Sequence, residues 1–367
     1  METSVKKTCL NERHRALDAT MVEFGGFDMP IEYKDGGIVA EHNAVRKAVG
    51  VFDVSHMGEV LVTGEEALYF VNHIFTNDVR TIPDGGILYG MMLNERGGVV
   101  DDLLVYRCEE NKYFLVINAA NIDKDIAWIR KCAGEFNVKI ENLSDKYGEL
   151  AIQGPDAEAT IKKVLDIDGS ALGFYTFKMF EYEGETIILS RTGYTGEDGF
   201  EIYSSPELTV KLWDKLISAG VQPCGLGCRD TLRFEAGLPL YGDELGDDIT
   251  PVEAALSMFC KLDKENFVGK DIVADQKANG APRKLVGLEI NAPAIARHGY
   301  EVLDADNNVI GYITTGYRSI TLDKNIAMAL VDSRYSKLGT EVQVRVRKKV
   351  FPAVVVKKRF YTPNYKK

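Results

Sequence analysis

The chain has few of the features that mark export or membrane insertion. Its 367 residues contain no run of 18 apolar residues, so no transmembrane helix is predicted. Residues 1–15 are polar and charged, and they lack the apolar core of a signal peptide. These absences predict a cytoplasmic protein.

Cysteine, histidine and nucleotide-binding motifs are also sparse. The six cysteines are scattered, and without an export signal they do not predict a disulfide framework. Cys224 and Cys228 could share one helical turn, but no second ligand pair accompanies them, so no metal is predicted. No Gly-x-Gly-x-x-Gly follows an N-terminal strand, which argues against a bound nicotinamide or flavin.

Charge is distributed unevenly along the chain. The total is −11, whereas residues 331–367 alone carry eleven Lys or Arg against two acids. A basic C-terminal segment on an otherwise acidic chain indicates an anionic partner. In the competing interpretation, the alternation of residues 342–347 simply places the cations on the solvent-exposed face of a strand. Nucleic acid is not predicted, because aromatic-rich binding signatures are absent.

The pattern of apolar residues predicts an α+β protein of more than one domain. With 45% hydrophobic and 27% charged residues, the composition is that of a globular protein too long for one core. Two successive segments follow the order of a split βαβ unit, the second with one strand over residues 180–190. After a linker predicted at residues 276–283, short strands separated by Gly, Asp and Asn predict an all-β barrel. We therefore predict domains over 1–150 and 151–224, with 225–275 returning to the first or bridging, and a barrel over 284–367.

Residues 193–201, Gly-Tyr-Thr-Gly-Glu-Asp-Gly-Phe-Glu, are the most informative stretch. Three glycines allow a tight turn and a close approach to a ligand, and Glu201 follows at the head of a strand. An acid in this position suits a ring with several N–H donors, while a hairpin loop with solvated acids is the competing interpretation. Residues 97–103 and 229–237 carry two further motifs, Gly-Gly-Val-Val-Asp-Asp-Leu and Arg-Asp-Thr-Leu-Arg-Phe-Glu-Ala-Gly.

Together these segments resemble the glycine cleavage T-protein family of tetrahydrofolate-dependent aminomethyltransferases. Further matches follow in the family's order over nearly the whole chain, at residues 52–57, 76–79, 151–155, 250–254, 326–329 and 362–365. The resemblance implies two ferredoxin-like N-terminal domains and a C-terminal barrel around a central folate site. It also implies transfer of a one-carbon unit from a lipoylated carrier, the H-protein, to tetrahydrofolate, which could be polyglutamylated.

The resemblance assigns the catalytic role to Asp102. A preorganised carboxylate would stabilise the positive charge that develops on the transferred carbon and the nitrogens. Because Asp101 and Asp102 alternate across a strand, only one is expected to face the site, and replacement of Asp101 is expected to be mild. Without the resemblance, a solvated acidic pair at a hairpin is the favoured interpretation.

The resemblance also assigns folate contacts. Glu201 matches the pterin-reading carboxylate, Arg229 a folate-binding arginine, and Asn118 a residue of the pterin pocket. A structural ion pair, a strand-end cap and a core packing role remain open for Arg229, Asn118 and Tyr89 respectively. The remaining matches are Tyr365, a terminal aromatic that closes over folate, and Arg297, an arginine near the site.

His56 is interpreted as a packed, hydrogen-bonded residue, because no Ser-His-acid arrangement can be assembled around it.

Two related functions compete with aminomethyl transfer. A folate-dependent demethylase of a small methylated substrate would share the fold, and a non-catalytic folate protein of iron–sulfur assembly would need a cysteine that residues 191–198 lack. A domain of a flavin-dependent amine dehydrogenase is disfavoured by the missing dinucleotide motif.

Overall fold

A computed structural model describes residues 5–134 and 136–365 of the chain. The helices are α1 (Asn11–Ala16), α2 (Gly37–Lys47), α3 (Ala67–Ile74), α4 (Ile122–Ala133), α5 (Ala157–Leu165), α6 (Pro206–Ser218), α7 (Leu226–Glu235) and α8 (Lys270–Asn279). The N-terminal strands are β1 (Ala19–Phe24), β2 (Phe27–Tyr33), β3 (Gly50–Asp53), β4 (Gly58–Thr63), β5 (Ile87–Leu93), β6 (Val99–Glu109), β7 (Lys112–Ile117) and β8 (Lys139–Asn142). The next strands are β9 (Gly148–Gln153), β10 (Phe177–Tyr182), β11 (Glu185–Ser190), β12 (Gly199–Ser204), β13 (Gln222–Cys224), β14 (Arg283–Ile290), β15 (Glu301–Leu303), β16 (Val309–Arg318), β17 (Asn325–Asp332), β18 (Glu341–Val346) and β19 (Lys349–Val356).

The strands form two open sheets and a barrel, together with the small hairpin β1–β2. One sheet has the order β5-β6-β7-β4-β8, and the other has the order β10-β11-β12-β9-β3-β13. Strands β14 to β19 close into a six-stranded barrel in the order β14-β17-β16-β15-β18-β19. The predicted α+β class with a C-terminal barrel is confirmed.

Each open sheet has a helix-covered face and a face turned toward the other sheet. Helix α6 shows how the outer layer forms: Ser205 caps it by accepting from the Leu208 amide at 3.2 Å, and Pro206 stands at its first turn. Its apolar side packs with α5 on alternate residues of β9 and β12, including Ile152 and Phe200. The inner faces meet in a core of Ile87, Tyr106, Phe114, Val116, Phe177, Ile188 and Tyr203.

Three local features differ from the sequence interpretation. Residues 180–190, taken as one strand, are two strands joined at Glu183 and Gly184, both with positive φ. The predicted linker from residue 276 begins inside α8. Strand β3 precedes residue 150 but lies in the sheet of the second predicted domain, so sheet membership crosses that boundary; the domain limits remain a prediction.

Hydrogen bonds to a buried carboxylate join the barrel to the rest of the chain. Glu235, at the end of α7, accepts hydrogen bonds from Ser319 and Thr321 of the barrel and lies 3.3 Å from Arg46 of α2. Burial acts to raise the pKa of Glu235, but hydrogen bonds from His42, Ser319 and Thr321 lower it to about 2. The Arg233 guanidinium donates to Glu244 at 2.7 Å. Within the described ranges, no helix has the length and apolar character needed to span a membrane.

Candidate functional site

A cavity of about 280 Å³ lies between the inner faces of the two open sheets. Its lining follows the two-residue period of the strands: Asp102, Leu104, Val116 and Asn118 come from one sheet, and Glu149, Ala151, Gln153, Glu201 and Tyr203 from the other. Residues 237–241, 255–256 and 258–259 also line it, as do Lys358, Arg359 and Tyr365 near the C-terminus. All three parts of the fold therefore contribute to one site.

Asp102 is half-buried and lines this cavity. Its carboxylate accepts from the Tyr89 hydroxyl at 2.9 Å and from the Asn118 amide at 3.0 Å. Burial and the neighbouring charge of Asp101 raise the pKa of Asp102 to about 7. The carboxylate is therefore fixed in position and poised between its two charge states near neutral pH.

Asp101 points away from the cavity but is not solvated. It is fully buried, and it accepts from the Asn118 backbone amide at 3.0 Å and from the Asn121 side chain at 2.7 Å. The expectation that only one acid faces the site agrees with this geometry. The expectation that replacing Asp101 is mild does not, because its carboxylate holds the strand end that carries Asn118.

Glu201 and Arg229 stand at the same cavity and differ in their protein contacts. Glu201 accepts a short hydrogen bond from the Thr192 hydroxyl, and burial raises its pKa. The Arg229 guanidinium lies over the Tyr194 ring, 4.4 Å from its centre, and donates no hydrogen bond to any residue that the structure describes. Arg229 thus keeps its donors for a ligand, as an anion- or carbonyl-binding arginine would.

Aromatic rings enclose the cavity on two sides. Tyr89 meets Phe259 edge to face with ring centres 4.9 Å apart. Tyr365 stacks on Phe174 with centres 4.3 Å apart, and the neighbouring Asn364 amide donates to the Gly196 carbonyl at 2.9 Å. The segment at residues 364–365 therefore binds to the glycine-rich stretch.

Two predicted residues have different surroundings from those expected. Arg297 is exposed outside the cavity, over the Tyr317 ring and 3.3 Å from the Gly316 carbonyl. His56 is packed, as expected, but neither ring nitrogen has a hydrogen-bond partner among the described residues. Burial and the charge of Arg229 lower the pKa of His56 to about 4, which keeps the imidazole neutral.

The glycines of residues 193–199 make room for a protein side chain as well as for the cavity. A Cβ on Gly193 would stand 2.0 Å from the Gln153 carboxamide, and one on Gly199 would stand 2.5 Å from it. Gln153 in turn donates to the Thr192 carbonyl at 3.0 Å and accepts from Thr195 at 2.8 Å. The sequence predicts that a ligand comes close to the glycine backbone, and part of that close contact is made instead by the Gln153 side chain.

Sequence reasoning missed several lining residues, notably Glu149, Tyr175, Lys358 and Arg359. Only the last two had a signal, the excess of cations near the C-terminus. Among residues 5–134 and 136–365, no three His, Cys, Asp or Glu side chains converge as a metal site requires.

Comparisons with known proteins cover the whole architecture. A family model described as the GCVT N-terminal domain matches residues 10–264, and one described as the glycine cleavage T-protein C-terminal barrel domain matches residues 283–362. An aminomethyltransferase of Caldanaerobacter subterraneus subsp. tengcongensis is 53% identical, with 99% of this chain and 98% of that protein covered. One from Alkaliphilus oremlandii is 49% identical over the full length of both chains. The crystal structure of glycine cleavage system aminomethyltransferase T from Bartonella henselae matches with a TM-score of 0.94 and 33% identity, covering 99% of this chain and 100% of that one.

Proposed function

The chain belongs to the glycine cleavage T-protein family of aminomethyltransferases, and from that premise we propose which reaction its cavity performs. The donor is an aminomethyl group on the sulfur of a lipoyl arm carried by an H-protein, and the acceptor is tetrahydrofolate. The methylene carbon gains bonds to N5 and N10 of the folate and loses its bonds to nitrogen and sulfur. The two protons released by the folate nitrogens leave with ammonia and the dihydrolipoyl thiol.

The observation that carries this proposal is the setting of Asp102. Positive charge grows on the methylene carbon and the nitrogens as ammonia departs, and a fixed carboxylate lowers the energy of that state. Tyr89 and Asn118 hold the Asp102 carboxyl by hydrogen bonds of 2.9 and 3.0 Å, so it need not reorganise during the reaction. Its ionised form, which predominates above about pH 7, is the active one.

Glu201 and Arg229 fit the folate ring. A carboxylate can accept from a ring N–H and the adjacent exocyclic amino group of a pterin, and the free guanidinium can donate to carbonyl or carboxylate oxygens. The cavity volume, about 280 Å³, is near the lower end of those typical for small-molecule sites, roughly 300–1,000 Å³. Aromatic side chains such as Tyr175 and Tyr194 supply flat apolar surface for the ring.

Lys358 and Arg359 fit the acidic end of a folate. Both line the cavity, and burial lowers the pKa of Lys358 to about 8. Glutamate carboxylates of a folate near these cations would favour the charged lysine, and a folate with one glutamate or with several could supply them. The six cysteines are free, in keeping with a reducing cytoplasm.

A transfer assay with the full chain tests the proposal. Aminomethylated lipoyl carrier protein and tetrahydrofolate are mixed with the enzyme, and methylene-tetrahydrofolate and ammonia are measured together. Equal amounts of both products, formed only when all components are present, are expected. Tight folate binding with ammonia release at background would instead indicate a binding protein or a demethylase.

A further inference from the structure

Glu149 is a third carboxyl group in the cavity, beside Asp102 and Glu201, and none of the contacts above explains it. Only 2% of the residue is exposed, it lines the cavity, and its Oε2 has no hydrogen-bond partner among the described residues. In the pairing of β9 with β12, Glu149 lies opposite Tyr203, and Glu201 lies opposite Ala151. The two carboxyls therefore leave the same face of the sheet as diagonal neighbours.

A chain of hydroxyl groups runs from Glu201 through the sheet to Tyr203, the residue opposite Glu149 in the strand pairing. Thr192 donates to Glu201, and its oxygen lies 2.6 Å from that of Ser190. Tyr106 donates to Ser190 at 3.1 Å, and its oxygen lies 3.0 Å from that of Tyr203.

Each hydroxyl has one proton to donate, and this fixes the direction of the whole chain. Since Thr192 gives its proton to Glu201, it accepts from Ser190, whose alternative acceptor, the Glu201 carbonyl, is farther away at 3.5 Å. Ser190 accepts from Tyr106, so Tyr106 accepts from Tyr203. Tyr203 has then used its proton on Tyr106, so none of these hydroxyls donates to Glu149. The buried carboxyl therefore has no donor among them to favour its charged form, and a proton on its unpaired Oε2 is available for a ligand.

The charges around Glu149 favour the same state. Glu201 on β12 and Glu59 on β4 oppose a second negative charge, whereas Arg229 on α7 favours it. Burial is the largest influence, and together these effects raise the pKa of Glu149 well above its ordinary value. The cavity therefore presents Glu201, which accepts from Thr192, beside Glu149, a carboxyl whose neutral form burial favours.

We propose that Glu149 is held as a neutral carboxylic acid that hydrogen-bonds to an acceptor atom of the bound ring, next to the edge that Glu201 reads. The inference rests on the proposed folate function and adds a specificity-determining residue to it. On a pterin, the ring N–H and the amino group are flanked by a carbonyl oxygen on one side and a ring nitrogen on the other. Whichever way the ring is turned, the ring atom next to the edge read by Glu201 is a hydrogen-bond acceptor. The protein group that faces that atom therefore has to donate a hydrogen bond.

Equilibrium titration of tetrahydrofolate against full-length variants tests the assignment. Glu149→Gln keeps the shape and a donor, so its affinity is expected to stay within about threefold of wild type at neutral pH. Glu149→Leu leaves a buried ligand acceptor unpaired and is expected to bind about tenfold or more weakly. Glu59→Gln is the matched control: Glu59 is also buried with an unpaired Oε2, but it lies outside the cavity lining.

The pH dependence of tetrahydrofolate affinity distinguishes the proposed role from a purely structural one, because a structural role would not change it. As pH rises and Glu149 loses its proton, wild-type affinity is expected to fall relative to that of Glu149→Gln, which keeps its donor. Loss of binding in Glu149→Gln equal to that in Glu149→Leu would overturn the inference, as would unchanged affinity in Glu149→Leu. If Glu149→Leu does not fold, the pH series that compares wild type with Glu149→Gln tests the inference by itself. Wild type that fails to bind tetrahydrofolate would remove the proposed function and this inference together, whereas either variant result removes only the inference.

Discussion

Asp101 and Asp102 leave opposite faces of strand β6, yet both accept from one amide group, since Asn118 Nδ2 lies 2.9 Å from an Asp101 oxygen and 3.0 Å from an Asp102 oxygen. The buried Asp101 thus orients the Asn118 amide, and this amide in turn orients Asp102 in the cavity. Behind Asp101 stands Asp125, whose pKa burial and the charge of Asp101 raise to about 11.

Asp102→Asn is expected to lower turnover by two orders of magnitude or more, about 2.7 kcal/mol of activation free energy. The amide keeps the shape of the side chain but cannot supply the charge that stabilises the departing ammonia. Folate affinity should change far less than turnover. The coupled assay for ammonia and methylene-tetrahydrofolate, together with folate titration, separates the two effects; equal losses would assign Asp102 to binding.

Asp101→Asn is expected to destabilise the protein by roughly 1–3 kcal/mol, because the new amide group faces donors that now lack an acceptor. Chemical denaturation of the variant and wild type measures the difference. Asp123→Asn, one residue into α4 and exposed, serves as a control with the same change of charge. A stability equal to that of the control would contradict the role given to Asp101.

The pH dependence of kcat/KM is expected to follow the ionisation of Asp102. The carboxylate is the active form and its pKa is raised to about 7, so kcat/KM should reach a plateau above pH 7 and fall about tenfold per unit below it. This acid limb should be absent from the residual activity of Asp102→Asn. A limb that persists in that variant would assign the titration to another group.

Arg229→Ala is expected to weaken folate binding about ten- to a hundredfold, since a charge-assisted contact contributes roughly 1.5–3 kcal/mol. Glu201→Gln should have an effect of similar size. Arg297→Ala removes the same side chain outside the cavity, where it stacks on Tyr317, and should bind folate as wild type does. Comparable loss in the two arginine variants would show that general charge, rather than Arg229, attracts the ligand.

Glu235 is expected to stabilise the fold in a pH-dependent way. Its pKa is lowered from 4.5 to about 2, so its contribution, on the order of 3 kcal/mol, is complete above about pH 4.5 and is lost as pH falls toward 2. The free energy of unfolding of Glu235→Gln should therefore lie below that of wild type at neutral pH, and the difference should shrink on acidification. A constant difference would point to lost packing instead.

Much of the fold could be predicted because local patterns agree with it. The alternation of residues 58–63 and the turn at residues 94–98 are sufficient to place β4 and the β5–β6 hairpin. The pattern predicts one strand over residues 180–190 because the turn at Glu183 and Gly184 is short and lacks a strong Asn-Gly or Asp-Gly signal.

The site was predictable only where a motif marked it. Asp102 and Glu201 lie in recognisable stretches, whereas Glu149 sits in an ordinary strand and gains its role from the register with Tyr203. Arg297 was placed near the site by resemblance, but the path of the barrel loop carries it outside the cavity. Non-local pairing decides such positions, and a single sequence does not contain it.

The segment that carries Asn364 and Tyr365 lies against the cavity, held by the contact of Asn364 with Gly196. A fluorophore attached to the side chain at position 364 would therefore stand next to a cavity residue and report on the arrival of a ligand.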